Sequence, residues 1–387
     1  MYVAKVKLES IRGFHDARKV DLDLARPSGD QSGWTVVTGP NGSGRTTLLQ
    51  AIALAIAGPA LAPTLLPSPA AWISSGKQQG GIEIDLVPGE EDKFPRGFQP
   101  PEGNVFADLV LTPSGITTES NVGRNGPWQE NPPGWFAVGY GPYRQPGAVN
   151  RPQSCLAGLF RADVPLNEAA SPAALALIND GLLPDGSTAI AEADGLWVEQ
   201  EGRRLPLREL GDGYRNLIAL VLDLTRRLPG PVETATGVVL IDEVEAHLNL
   251  PWQQWIGGWL KSHFPRLQFI VSTNSPYVCQ ASDPGGLISL AGPPRIIDGD
   301  LYDRVVHGSG EDVALSELFG LDSPYAPGAR RLRHELVELE MKVLDGQANE
   351  IQLARYRELQ ELLVSSPAAR ATEIAARLQR DKARRRP

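Results

Sequence analysis

Nine residues constrain this chain more than any others: Gly39-Pro40-Asn41-Gly42-Ser43-Gly44-Arg45-Thr46-Thr47. Ahead of them stands Trp34-Thr35-Val36-Val37-Thr38, apolar enough for a strand buried on both faces. Behind them come Leu48, Leu49, Ile52, Leu54 and Ile56, apolar at helical spacing. The unit reads as strand, glycine turn, helix. Glycines let the backbone curl so that consecutive N–H groups face inward, and the helix that starts there aims the positive end of its dipole at the same point. Such a turn is a cradle for phosphate. Its spacing is the P-loop pattern GxxxxGK[ST] in every place but one, with Arg45 where that pattern has lysine. Arginine keeps the charge, but its planar fork is longer than a compact ammonium and need not fit between two phosphates. Binding is therefore expected to survive better than turnover. Thr46 is the residue whose hydroxyl would meet Mg2+.

A second motif agrees with the first. Gly237-Val238-Val239-Leu240-Ile241 is another buried apolar run, and it ends in two acids, Asp242 and Glu243. At a strand end beside a phosphate cradle, Asp242 would hold Mg2+ directly or through water, and Glu243 would polarise the attacking water. Leu267-Gln268-Phe269-Ile270-Val271 repeats the pattern after a helical stretch around residues 252–260, the look of parallel strands covered on both faces. An α/β core with a mixed or parallel sheet is expected.

Composition bounds the rest. With 387 residues, 42% of them hydrophobic and 21% charged, the chain can bury a full core and is neither wholly disordered nor fibrous. Its 40 glycines and 33 prolines disfavour a helix bundle, and 20 of them fall within residues 93–158. Trp128, Trp135, Phe136, Tyr140 and Tyr143 in the same stretch favour an ordered, loop-rich lobe over disorder. Residues 165–231 turn helical, with Leu217, Leu220, Val221 and Leu224 on one face. A net charge of −9 argues against a chain coated in basic surface, although residues 330–387 hold 13 Lys or Arg against 9 Asp or Glu. There Leu332, Leu336, Leu339 and Val343 form one stripe, and Leu353, Tyr356, Leu359 and Leu363 a second beyond the turn Asp345-Gly346. That is a helical hairpin. Ser366-Pro367 then opens a third helix before a basic tail. No residue between Arg45 and Lys77 is charged, yet Gly58-Pro59 breaks the apolar run too early to cross a ~30 Å membrane core. Two cysteines make no disulfide framework, and the N-terminus alternates like a strand rather than a signal peptide, so the expected compartment is the cytoplasm.

In order along the chain, Ile11-Arg12-Gly13-Phe14, the string from Gly39 to Thr47, Leu210-Gly211-Asp212-Gly213-Tyr214-Arg215, residues 240–248 and residues 270–276 resemble the motifs of ABC-class ATPases. Within that class the resemblance is to the RecF-like and OLD-like branch, which includes PtuA-like ATPase subunits of bacterial anti-phage systems. It covers residues 1 to about 320. Its most specific parts are Asp242-Glu243-Val244-Glu245-Ala246-His247-Leu248 and the Asp-Gly-Tyr-Arg run, and Gly139-Tyr140-Gly141-Pro142-Tyr143-Arg144 is also typical. The resemblance implies an ABC-ATPase-like head that dimerises over two ATP molecules, each held between the P-loop of one subunit and the signature of the other. Gly211, Asp212 and Gly213 would be that signature, Asp242 the magnesium residue, Glu243 the general base and Asn274 the switch. Arg12 and Arg144 would either reach the nucleotide or be structural arginines. Gly211 stands where serine is usual, and Asn274 where histidine is usual; the asparagine can donate a hydrogen bond but carries no proton. With Arg45, three departures weaken γ-phosphate handling and leave the base in place. The implied divisions are 1–92 for the first part of the head, 93–162 for the inserted lobe, 163–232 for a helical lobe with the signature, 233–320 for the rest of the head, and 321–387 for the hairpin and tail.

The function this implies is a slowly hydrolysing ATPase subunit, a homodimer or higher homo-oligomer, that regulates an effector protein such as a nuclease in phage defence or DNA transactions. OLD enzymes carry a nuclease domain after the ATPase; here the residues beyond 320 read as helices without a strand-borne acidic cluster, so cutting would fall to a partner. A nucleotide-gated scaffold without turnover is the alternative that the three departures allow. The ATPase of a membrane transporter fits less well, since a Ser-Gly-Gly-Gln signature is more usual there. Nucleic acid binding stays open, and the hairpin stripes either pack on each other or dock a partner.

Overall fold

Alternation and apolar runs sort the strands into two kinds of sheet. The structure is a computed structural model describing residues 1–89, 92, 105–118, 135–144, 147, 154–166, 169–192 and 195–363. It divides into two units, Met1–Gly310 and Glu311–Pro387. The first begins with β1 (Tyr2–Glu9), β2 (Val20–Asp23), β3 (Gly33–Thr38) and α1 (Arg45–Leu65). Strands β4 (Gly80–Val87), β5 (Val105–Thr112), β6 (Gly115–Thr117) and β7 (Ala137–Tyr140) follow. Next come α2 (Pro172–Asn179), β8 (Ser187–Glu192), β9 (Gly195–Gln200), β10 (Arg203–Pro206) and α3 (Asp212–Arg227). The unit closes with β11 (Gly237–Ile241), α4 (Leu250–His263), β12 (Leu267–Thr273), α5 (Pro276–Cys279), β13 (Leu287–Ser289), β14 (Arg295–Ile296) and α6 (Gly299–His307).

The runs become parallel neighbours, as expected. One sheet has the order β14-β13-β3-β12-β11-β7, in which only the edge strand β14 is antiparallel. Thr38 lies opposite Thr273, and Ile241 opposite both Val271 and Tyr140, so the carboxyl ends of β3, β12, β11 and β7 share one edge. In open α/β sheets that edge is where ligands bind. The alternating strands form an antiparallel sheet, β2-β1-β4-β5-β6. Between the sheets runs α1: Leu48, Leu49, Ile52 and Leu54 share one core with Val6, Leu8, Ile82, Ile84 and Leu109 of the antiparallel sheet and with Val37, Leu240 and Ile270 of the parallel one. By length and composition α1 could cross a membrane, but Gly58 at φ +72° breaks its helical path, and this core buries its apolar side chains.

Three expectations need correction. Residues 163–232 are not a purely helical lobe, because an antiparallel sheet, β10-β9-β8, separates α2 from α3. The described parts of 93–162 are not a separate lobe either: β5 and β6 belong to the antiparallel sheet and β7 to the parallel one. Trp128 lies outside the described residues. The chain also divides after Gly310, earlier than the expected boundary at 320.

The second unit holds the helical hairpin. After α7 (Gly310–Leu315), which spans the division, come α8 (Pro327–Leu344) and α9 (Glu350–Leu362). Asn349 and Gln352 form a reciprocal capping box at the start of α9. Leu336, Leu339, Leu359 and Leu363 are buried together, and Arg355 grips Glu335 through both carboxylate oxygens at 2.8 and 3.1 Å. The third helix and basic tail lie outside the described residues.

Candidate functional site

Thr38 ends β3, and the nine-residue string turns over its tip into α1. Gly39, Gly42 and Gly44 all have positive φ (+154°, +79° and +105°), a backbone that side-chain-bearing residues rarely adopt. Gly44 also lacks room, since a Cβ there would stand 2.5 Å from the Phe14 ring. Ser43 N–H donates to the Pro40 carbonyl at 3.0 Å, closing the turn, and Leu48 N–H donates to Gly44 as the first full helical bond. The hydroxyl of Ser43 is buried in this turn without a hydrogen-bond partner, close against Gly39.

The acidic pair lies across from it. Thr46 Oγ1 donates to Asp242 Oδ2 at 2.8 Å, and Ser272 Oγ donates to Asp242 Oδ1. A hydroxyl and a carboxylate face to face are hard oxygen donors of the kind Mg2+ takes when phosphates and water complete its shell, so these two residues fit that ion. Asp242 is only 3% exposed, whereas Glu243 is half-buried. Its backbone sits at φ +46°, a strained conformation for glutamate, and its N–H is held by Ser272 Oγ at 2.8 Å. Burial, then Asp242 and Glu245, push the Glu243 carboxyl above the ordinary glutamate value, while Arg45 and Arg144 oppose the shift. A carboxyl raised in this way is a better proton acceptor once ionised.

Asn274 follows β12 and is tied to both motifs. Its side-chain oxygen accepts from Arg45, its Nδ2 donates to Asn41 Oδ1 at 3.3 Å, and its backbone N–H donates to Glu245 Oε1 at 2.6 Å. Arg45 also donates to the Gly39 carbonyl. Arg12, at φ +47°, stacks 4.4 Å over Trp72 and donates to Thr47 Oγ1 at 3.1 Å, which places it beside the first turn of α1. Arg144 makes the contacts of the structural alternative. Only 4% exposed, it donates to the carbonyls of Gly141, Asp242, Glu243 and Val244 at 3.1 to 3.2 Å and so pins the acidic loop from beneath.

Gly211 caps α3, with Asp212 and Gly213 in its first turn. A Cβ on Gly213 would stand 2.7 Å from the carbonyl oxygen of His247, so the start of α3 packs against the loop that follows the acids. His247 sits at φ +67° in that loop. Farther along α3, Asp223 accepts from the buried Tyr140 hydroxyl at 3.1 Å and from Arg227 at 2.5 Å, joining α3 to β7.

Comparison with known proteins meets this geometry at both ends of the first unit. A family described as "AAA domain" matches residues 5–85, and one described as "AAA domain, putative AbiEii toxin, Type IV TA system" matches residues 165–280. The "Retron Ec83 probable ATPase" of Escherichia coli is 40% identical over 94 residues, 23% of this chain and 17% of that protein. The "Septu protein PtuA" of Bacillus mycoides (strain KBAB4) is 26% identical over 301 residues, 71% of this chain and 38% of that protein. An SMC head solved bound to the C-winged helix domain of ScpA superposes with a TM-score of 0.51 and 17% identity, over 78% of this chain and 98% of that one. The chain is a P-loop protein related to the PtuA and retron ATPases. Its fold is that of an SMC-type head. It spans well under half the length of the curated relatives it matches.

Several residues of this P-loop site have roles that the sequence did not assign. Arg18 donates to the Ser43 carbonyl at 2.8 Å and to Gly292 at 3.1 Å, bracing the phosphate turn from outside. Ser272 touches both acids, and Glu245 holds the Asn274 backbone, but neither belongs to a spacing that names its role. Only the register of β12 against β3 and β11 brings them there.

Proposed function

We propose that this chain binds ATP with Mg2+ at the P-loop and hydrolyses it slowly, within a two-fold pair of heads, to regulate an effector protein. The observation that carries the reading is the apposition of Thr46 and Asp242 at 2.8 Å beneath a glycine turn whose Ser43 hydroxyl has no partner. Gly39 to Thr47 would hold the phosphates with Arg12 at their flank, and bound Mg2+ would neutralise charge on them. Glu243 would take the proton of the attacking water, and Asn274 would donate to the γ-phosphate. Gly211, Asp212 and Gly213 of one chain would complete the site of another, so each interface would hold two sites. That the solved SMC head is bound to another protein supports a partner-dependent reading here, with a nuclease as one class of effector. A scaffold that binds ATP without turnover is the second reading, favoured by the engagement of Arg45 with Gly39 and Asn274.

Millimolar ATP with Mg2+ should raise the melting temperature, because a ligand that binds only the folded state stabilises it by mass action. Steady-state phosphate release, with Glu243→Gln as the blank, separates the two readings: release above the blank supports the ATPase, and release equal to it supports the scaffold. A folded sample whose melting temperature ATP does not move would sink both. Light scattering with and without ATP tests the pair of heads, and pull-down with the full chain from its native host tests the effector.

A further inference from the structure

Arg45 and Asn274 each depart from the residue usual at their position, and the structure brings them together. One guanidinium nitrogen, Nη1, donates both of its hydrogens, one to the Gly39 carbonyl and one to Asn274 Oδ1. The opposite end of the same carboxamide donates to Asn41, and the Asn274 backbone N–H is held by Glu245. These contacts fix which way the amide faces: its oxygen must turn to the cation and its nitrogen to Asn41. Neither usual residue would fit the other's partner. A lysine also carries its hydrogens on one nitrogen, but its side chain is shorter and brings that nitrogen less far toward Asn274. A histidine could accept through only one nitrogen of its neutral form, and once protonated it would face the guanidinium with like charge.

We infer that Arg45 and Asn274 are one matched device, a latch that the nucleotide's phosphates open. It rests on the proposed ATP site. Asn274 holds Arg45 against Gly39. A phosphate is a charged and therefore stronger acceptor than a carboxamide, so it draws the guanidinium away and leaves the carboxamide to turn. Through its backbone Asn274 leans on Glu245, and the loop that bears Glu245 also carries the His247 carbonyl against which Gly213 packs. Opening the latch is thus registered beside the signature.

Two measurements on Arg45→Gln, Asn274→Ala and the double variant test this. The first is the melting temperature without nucleotide, in chelator. A latch requires that the double variant lose less than the sum of the two single losses, because the bond between the two residues is counted in each of them while the bonds to Gly39 and Asn41 are not shared. Additive losses overturn it. The second is calorimetric affinity for ADP, which has no γ-phosphate for Asn274 to contact. Asn274→Ala should bind ADP about fivefold tighter than the parent, the change that matches one hydrogen bond no longer competing for Arg45. In the Arg45→Gln background the same substitution should leave ADP affinity unchanged. Equal or weaker ADP binding by Asn274→Ala overturns the latch. If neither ADP nor ATP binds the parent chain, the nucleotide reading fails, and the melting series alone still decides whether the two residues act as a pair.

Discussion

Replacing Arg144 with alanine separates a structural arginine from a nucleotide ligand. Four carbonyls lie within 3.2 Å of its guanidinium, and a fifth, of Ala246, lies at 3.5 Å. Burial lowers its pKa only to about 10, so it is a cation at neutral pH and each of these bonds is charge-assisted. At a net worth of roughly 0.5 to 1.5 kcal/mol per bond, the four short ones contribute about 2 to 6 kcal/mol. Residues 243, 245 and 246 are only half-buried, so water can reach part of the loop and repair some of the loss. About 3 kcal/mol is therefore expected for Arg144→Ala. Arg144→Lys, which keeps the charge but not the fork, should lose roughly half as much. Urea unfolding without nucleotide measures this directly, with ATP affinity titrated in parallel. A variant within 1 kcal/mol of the parent that binds ATP more than tenfold more weakly would place Arg144 at the phosphates, and the argument from its carbonyl partners would be wrong.

Gly44→Ala puts a Cβ 2.5 Å from the Phe14 ring at φ +105°, so it should abolish the ATP-induced rise in melting temperature; an unchanged shift would show that the turn tolerates a side chain. Gly213→Ala meets the His247 carbonyl at 2.7 Å, away from the P-loop, and should keep ATP affinity within about threefold while ATP-dependent self-association, followed by light scattering, disappears. Tyr140→Phe should cost about 1 kcal/mol at neutral pH by removing a buried bond to Asp223. Burial and Asp223 hold the Tyr140 phenol well above its ordinary value of 10.0, so its contribution is whole below that value and is lost as pH rises and the unfolded chain ionises. Urea midpoints of parent and variant should accordingly converge as pH climbs above about 10; a constant gap would contradict the shift.

Local continuity decided what could be read from the chain. The phosphate turn, the strands that flank it and the acids after β11 are each contiguous, and a buried strand shows its apolar run wherever it occurs. The hairpin was legible for the same reason, as two stripes about one turn. Strands β8 to β10 were not, because they are half-exposed: along β8 only Ala189 is buried, too little alternation to stand against the helical stretches on either side. In β5, by contrast, Val105, Ala107, Leu109 and Leu111 alternate cleanly into the core. Averaging glycine and proline over the whole of residues 93–158 concealed a strand whose own residues contain neither.

Residues whose role arises between strands leave no such trace. Arg18 and Ser272 act on backbone or side-chain atoms that adjacent strand ends deliver to them, and no spacing along the chain encodes that adjacency; Arg144 and Glu245 stand in motifs that the sequence shows, but their partners do not. The same limit bears on the departures at Arg45 and Asn274. Counted along the sequence they are two independent losses in γ-phosphate handling, and independent losses add. In space they share a hydrogen bond, and changes at residues in contact do not add, because the second removes an interaction that the first has already broken. An arginine that is a poor substitute for lysine beside histidine is suited to an asparagine that presents its oxygen. How far this site departs from a fast ATPase therefore depends on the pair and on the phosphate that competes for it, rather than on the number of unusual residues in its motifs.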